Sequence, residues 1–226
     1  MLIIGHRGSA GTKPENSIAA LREAIEAGAD MVECDVRLTK DGVPILAHDF
    51  HLLRTHHKVD LIALHTLKEL RHLTAGSESP VVTLEAALKE CVGQIMLNIE
   101  LKQRRAVEPT LEHLQKVDAW DEIMISSFFP RILRAVRRQS DQAQLALLHH
   151  LNPYTFAAWA RPLQLSAVGF HRLYAPHLAI ELADQMNLLT YAYTVNRLDA
   201  ARRLEERGLD GVVTDFPARL AQALQA

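Results

Sequence analysis

Cysteine is scarce in this sequence: Cys34 and Cys91 are the only two among 226 residues. They are too few for a disulfide framework and too far apart for a CxxC-type zinc site, and they read as thiols of a reducing compartment. An excess of one charge is also lacking. Lys and Arg number 25 against 27 Asp and Glu, a net −2. That balance argues against nucleic acid as a partner and against stable association with an anionic membrane. No window approaches the roughly 18 consecutive apolar residues of a membrane span. The opening apolar run covers only residues 1–4 and no basic stretch precedes it, unlike a secretory leader, so a cytoplasmic location is expected. No GxGxxG follows an apolar run, which removes the main support for a doubly wound, dinucleotide-binding sheet.

Alternation is what the chain has in abundance. Apolar runs of strand length occupy residues 2–5, 31–38, 94–101, 122–126, 144–148, 167–170, 188–194 and 211–214. Amphipathic stretches of helical period lie between them, at 16–27, 83–91, 106–117, 130–139, 153–160, 176–187, 198–207 and 217–226. A short extended piece at 42–47 follows a Lys40-Asp41-Gly42 turn. Strands alternating with helices imply a parallel sheet with right-handed crossovers. Eight such units in this length predict one α/β domain over 1–226, a closed (β/α)8 TIM barrel. The stretch 49–80 interrupts the rhythm with a short insertion after the second strand, and an insertion of that kind is usually functional.

A barrel of this type builds its active site at the C-terminal ends of its strands. His6 and Arg7 follow the first strand, Glu33 and Asp35 lie on the second, and Glu100 and Lys102 end the third. Side chains alternate faces along a strand, so Glu33 and Asp35 share one face, as do Asn98, Glu100 and Lys102. The opposite faces are apolar and suit packing against helices. Three carboxylates converging on the mouth would repel one another unless a cation joins them. All-oxygen ligation favours Mg²⁺ or Ca²⁺. An internal ion-pair network with Arg7, Arg37 and Lys102 is the alternative. Of the 12 histidines, His6 and His48 sit where an acid/base pair could flank these acids. Arg7 and Lys102 suit a phosphorylated substrate. His171, ending the sixth strand, is the best further candidate for touching a leaving alcohol, with His149 and His150 similar. Ser126, Ser127, Asn196 and Asp215 also end strands, where lining the mouth and capping a turn are both open to them. His51, His56, His57, His65 and His72 fall in the insertion and read mostly as surface residues.

These blocks resemble the glycerophosphodiester phosphodiesterase family. GHRGSAGTKPENS is similar to its HRG…PENT opening, VECDVRLTKDGVPILAHD to its E-x-D-V…T-x-D-G…H-D block, and NIELK to its N-x-E-x-K strand. PVVTLEAAL resembles its P-T-L-x-E-x-L helix start, and YTVN…GLDGVVTDFP its closing motifs. The order is kept over nearly the whole chain, which is far more specific than any one motif. The resemblance implies a TIM-barrel hydrolase of glycerol and lipid metabolism, with one divalent metal on Glu33, Asp35 and Glu100. It makes His6 and His48 catalytic and Arg7 and Lys102 the phosphate contacts. It implies hydrolysis of a glycerophosphodiester to glycerol 3-phosphate and an alcohol, through a cyclic phosphate, and the lack of a long apolar stretch in the insertion to receive an acyl chain favours soluble substrates. Asn16 would organise its loop, and Glu15 would support the site from behind. Tyr193 stands where many members carry Trp and would pack against the glycerol. The insertion lacks the glycine-rich stretch common after H-D-x-x-L-x-R-T. Two other readings remain: a lysophospholipase D-like activity on lipids, and a barrel that binds glycerophosphodiesters without turnover.

Overall fold

The computed structural model describes residues 1–149 and 152–225; His150 and Ala226 lie outside the described residues. Nine strands form one sheet: β1 (Leu2–Gly5), β2 (Met31–Leu38), β3 (Pro44–Leu46), β4 (Met96–Leu101), β5 (Ile123–Ser127), β6 (Gln144–His149), β7 (Ala167–His171), β8 (Leu189–Tyr193) and β9 (Gly211–Thr214). Eight of them run parallel, and β1 bonds to both β9 and β2, so the sheet closes on itself. β3 lies outside that ring, antiparallel to the end of β2. The predicted (β/α)8 barrel is therefore observed, with the predicted short extension as a hairpin arm.

The helices are α1 (Ile18–Glu26), α2 (Leu53–His56), α3 (Leu67–Leu73), α4 (Leu84–Cys91), α5 (Val107–Val117), α6 (Pro130–Arg137), α7 (Phe156–Leu163), α8 (His177–Gln185), α9 (Leu198–Glu205) and α10 (Pro217–Gln225). All but α2 and α3 follow barrel strands and cover the outside. Their start signals are local. Thr83 caps α4 by accepting from the Ala86 N–H, and Pro130 occupies the first turn of α6. α1 begins two residues later than its apolar periodicity suggests. Ser17 is its N-cap, accepting from the Ala20 N–H, while Asn16 takes a left-handed conformation (φ 55°).

Two apolar layers result from period-two alternation. The outward layer, including Val32, Cys34, Ile99 and Val212, packs against the helices. The inward layer, Ile4, Met31, Met124, Ala146, Leu148, Ala167, Tyr191 and Val213, fills the barrel itself. Each fully buried aliphatic side chain contributes about 1.5–3 kcal/mol relative to exposure. The insertion has its own small core, Ile45, Leu52, Ile62 and Leu70, which seats it on β3. Within it, α3 is the amphipathic piece predicted near 67–73. Thr66 and Glu69 close a capping box at its start.

Candidate active site

The register of β2 against β4 brings the acids together. Asp35 is the pairing partner of Glu100, and Glu33, two residues earlier on the same face, pairs with Asn98. One carboxylate oxygen from each of Glu33, Asp35 and Glu100 lies within 4.8 Å of the others. All three are buried, at 5%, 1% and 7% exposure, so water cannot screen their repulsion. Burial, with the adjacent Asp35 charge, pushes Glu33 up to about 7 and raises Glu100 as well. Burial would raise Asp35 too, but the Lys102 and Arg7 charges hold it well below the usual carboxylate range.

The loop after β1 is shaped around these acids. The Arg7 N–H donates to Glu33 Oε2 at 2.9 Å. Gly8 (φ 84°) permits the turn, because a Cβ there would lie 2.5 Å from the Ala20 carbonyl carbon. Asn16 grips Asp35 twice: its Nδ2 donates to the carboxylate at 2.9 Å and its Oδ1 accepts from the Asp35 N–H at 3.1 Å. Asn16 thus organises the loop, and Glu15 backs Arg7, as the resemblance implied. The Arg7 guanidinium pairs with Asp35 at 3.2 Å and with Glu15 at 3.0 Å. Lys102 bridges Asp35 at 2.8 Å and Glu100 at 2.5 Å.

Ion pairing alone does not account for the cluster. Two of the three cations considered for it, Arg7 and Lys102, do engage the acids. Arg37 turns instead to the His48 carbonyl, donating at 2.8 Å. Glu33 Oε1 stays buried with no hydrogen-bond partner, a costly state for a carboxylate. An all-carboxylate donor set with an orphaned oxygen fits a hard divalent cation.

Both histidines sit at this cavity, and each is oriented by a carboxylate. His6 Nδ1 lies 2.6 Å from Asp215, which also accepts from Asn196 Nδ2 at 2.5 Å. His48 Nδ1 lies 2.8 Å from Asp49. An Nδ1–H bonded to a carboxylate leaves Nε2 to face a ligand. Burial pulls the His6 pKa down, but the bond to Asp215 and the charge of Glu33 outweigh it, so His6 lies above its ordinary value. For His48 the balance reverses. Burial, with Lys102 and Arg7, outweighs Asp35 and Asp49, and its pKa falls.

A cavity of about 920 Å³ joins these groups. His6, Arg7, Glu33, His48, Glu100, Lys102, His171 and Tyr193 line it, and Asp35 adjoins it through its cluster with Glu33 and Glu100. All the predicted site residues therefore come to one place. Its far wall is aromatic. Tyr193 packs edge-on against Phe128 at 5.6 Å and against His171 at 6.2 Å, and its hydroxyl donates to the His149 carbonyl. Burial pushes the His149 ring down to about 4. Its Nδ1 meets Thr155 Oγ1 at 2.8 Å, while Nε2 lies unpartnered in the wall. On the floor, the Asn98 carbonyl oxygen and the Ser126 and Tyr191 hydroxyls are buried without partners. Tyr191 lies close enough to the other two to feel their dipoles without forming a bond of normal geometry.

Sequence reasoning missed Asp49, Phe128 and Tyr191 and left Asp215 open between mouth and turn. Asp49 and Asp215 stand inside quoted blocks, so their pairing with histidines was the missing step. Phe128 and Tyr191 carried no signal beyond ordinary core composition.

A sequence profile of the glycerophosphoryl diester phosphodiesterase family matches residues 6–219. The chain belongs to that family. A glycerophosphodiester phosphodiesterase of Caldanaerobacter subterraneus is 30% identical, over 97% of this chain and 96% of that protein. Among solved structures, an Oleispira antarctica phosphodiesterase in complex with the product sn-glycerol-3-phosphate superposes with a TM-score of 0.91 at 25% identity, covering 100% of this chain and 97% of that one. A glycerophosphodiester phosphodiesterase from Thermotoga maritima gives 0.87 at 27% identity, covering 99% and 98%. The similarity of this phosphodiesterase to these proteins runs along the whole barrel.

Proposed function

We propose that this phosphodiesterase hydrolyses soluble glycerophosphodiesters to glycerol 3-phosphate and an alcohol, using a divalent ion on Glu33, Asp35 and Glu100 and the histidine pair His6 and His48. One observation carries the reading: two carboxylate-oriented histidines of opposite pKa displacement border a buried three-carboxylate cluster in one cavity. A bound Mg²⁺ or Ca²⁺ would supply positive charge beside the phosphate and lower the pKa of a neighbouring hydroxyl. His48, biased toward its neutral form, accepts the proton of the glycerol hydroxyl as that oxygen attacks phosphorus. His6, biased toward its protonated form, donates to the departing alcohol oxygen. Arg7 and Lys102 offset the charge gathering on the phosphate oxygens. Water then opens the cyclic phosphate with the two histidines in reversed roles. Tyr193 and His171 line the side available to the organic groups.

The test is release of glycerol 3-phosphate from glycerophosphocholine, glycerophosphoethanolamine and glycerophosphoinositol, and of lysophosphatidic acid from lysophosphatidylcholine, each with Mg²⁺, Ca²⁺ or Mn²⁺. Turnover of the soluble diesters, its loss in EDTA, and little release from the lysolipid are expected. Glu33→Ala or Glu100→Ala should abolish turnover in a folded chain, and His6→Ala or His48→Ala should cost roughly a hundredfold or more. Full activity of the acid variants in EDTA would overturn the metal reading. Binding of a diester without product would favour the non-catalytic barrel.

A further inference from the structure

Arg37 is the next inward side chain of β2 after Glu33 and Asp35, and it lines the same cavity beside His48 and Lys102. Its neighbours' charges are taken up. Arg7 is held by Glu15 and Asp35, Lys102 by Asp35 and Glu100, and Arg54 by Glu15 and Asp49. Arg37 differs. Its Nε donates to the His48 carbonyl at 2.8 Å, and among the described residues its two Nη groups meet no acceptor. Asp35, Asp49 and Glu100 act on it through space, without an ion pair inside 4.0 Å. A guanidinium stays charged at any working pH. The Nη groups are open to the cavity and not sealed in the core, and a planar fork anchored at Nε presents its Nη pair as a ready oxyanion contact.

We infer that Arg37 is an anion-binding residue of this site, contacting an oxyanion of the ligand: a phosphate oxygen, or an acidic group on the leaving alcohol. The inference rests on the proposed glycerophosphodiester reading. It differs from the roles implied for Arg7 and Lys102, because of these three Arg37 alone can take a ligand without giving up an ion pair.

Calorimetry on the full chain with glycerol 3-phosphate, alongside KM and kcat for glycerophosphocholine and glycerophosphoserine, tests it. Arg37→Met should weaken glycerol 3-phosphate binding about tenfold to a hundredfold, the span of one charge-assisted contact. Arg37→Lys should recover part of that loss. Equal increases in KM on both diesters would locate the contact at phosphate, whereas an increase confined to glycerophosphoserine, with product binding unchanged, would locate it at the headgroup. If Arg37→Met binds glycerol 3-phosphate like the parent and loses only kcat, Arg37 acts solely by positioning His48 and the inference fails. If the parent chain itself neither binds glycerol 3-phosphate nor turns over a diester, the underlying reading fails. Circular dichroism on each variant separates both results from misfolding.

Discussion

At the scale of single residues, the two histidines differ in what surrounds them. His6 has a close carboxylate in Asp215 and lies above its usual pKa, while His48 lies below. Used as an acid, His6 must carry its proton, so rate falls as pH rises through its pKa. Used as a base, His48 must be neutral, so rate falls as pH drops through its pKa. The two displacements open a window between the limbs. Asp215→Asn removes the strongest raising influence on His6 and should move the alkaline limb of kcat/KM to lower pH. Asp49→Asn removes a raising influence on His48 and should move the acid limb lower. A pH–rate profile with both limbs unmoved would sink the assignment. His6 and His48 are legible in the sequence because each directly follows an extended segment within a recognisable block. The His6 partner is not legible from local pattern, since 209 residues separate it from Asp215. Only the closing of the barrel makes them neighbours.

At the scale of elements, the insertion matters through α2. Arg54 on that helix bonds both oxygens of Glu15 at 2.6 Å and reaches Asp49 at 2.7 Å. Glu15 holds Arg7, and Asp49 holds His48. One arginine from outside the barrel therefore joins the supports of two site residues that come from different strands. Arg54→Ala should lower kcat on the order of tenfold, about 1.4 kcal/mol of barrier. Arg54→Lys should restore only part, since an ammonium cannot serve three oxygens in one plane. The melting temperature should move little, because Arg54 is 47% exposed and exposed ion pairs contribute weakly to stability. A large drop in stability with unchanged kcat would make Arg54 a structural residue only. α2 escapes sequence reading because it is four residues long. Its apolar support, Leu52 and Ile62, belongs to a core completed by β3. α3 is legible because a capping box and an amphipathic turn are local signals.

At the scale of the whole molecule, the eight-unit rhythm is enough to predict the barrel, since strand length and helix period alternate without exception outside 42–80. The filling of the barrel was less legible, because inward and outward residues of a doubly buried strand are both apolar. Gly169 shows how tight that filling is. A Cβ there would lie 2.6 Å from Leu148 Cδ2 and 2.8 Å from the Tyr191 ring. Gly169→Ala should therefore cost roughly 1–3 kcal/mol through overpacking. In a chain of this size, each kcal/mol lowers the melting temperature by about 2–4 °C. A thermal scan showing no loss would mean the interior has slack that the packing does not suggest. Asn98, Ser126 and Tyr191 form the polar boundary between this interior and the mouth, a boundary set by strand register and invisible in any one segment.

The bond between His6 and Asp215 has a temporal consequence. Of the barrel strands, β1 is translated first and β9 last, and the His6 ring is oriented only when the second has docked beside the first. Before residue 215 emerges, the chain already contains Glu33, Asp35, Glu100 and His48, yet His6 has no carboxylate to hold it. A nascent or clipped chain ending earlier lacks the partner that orients the His6 ring. The set of the His6 ring thus becomes a built-in report that the barrel has been closed.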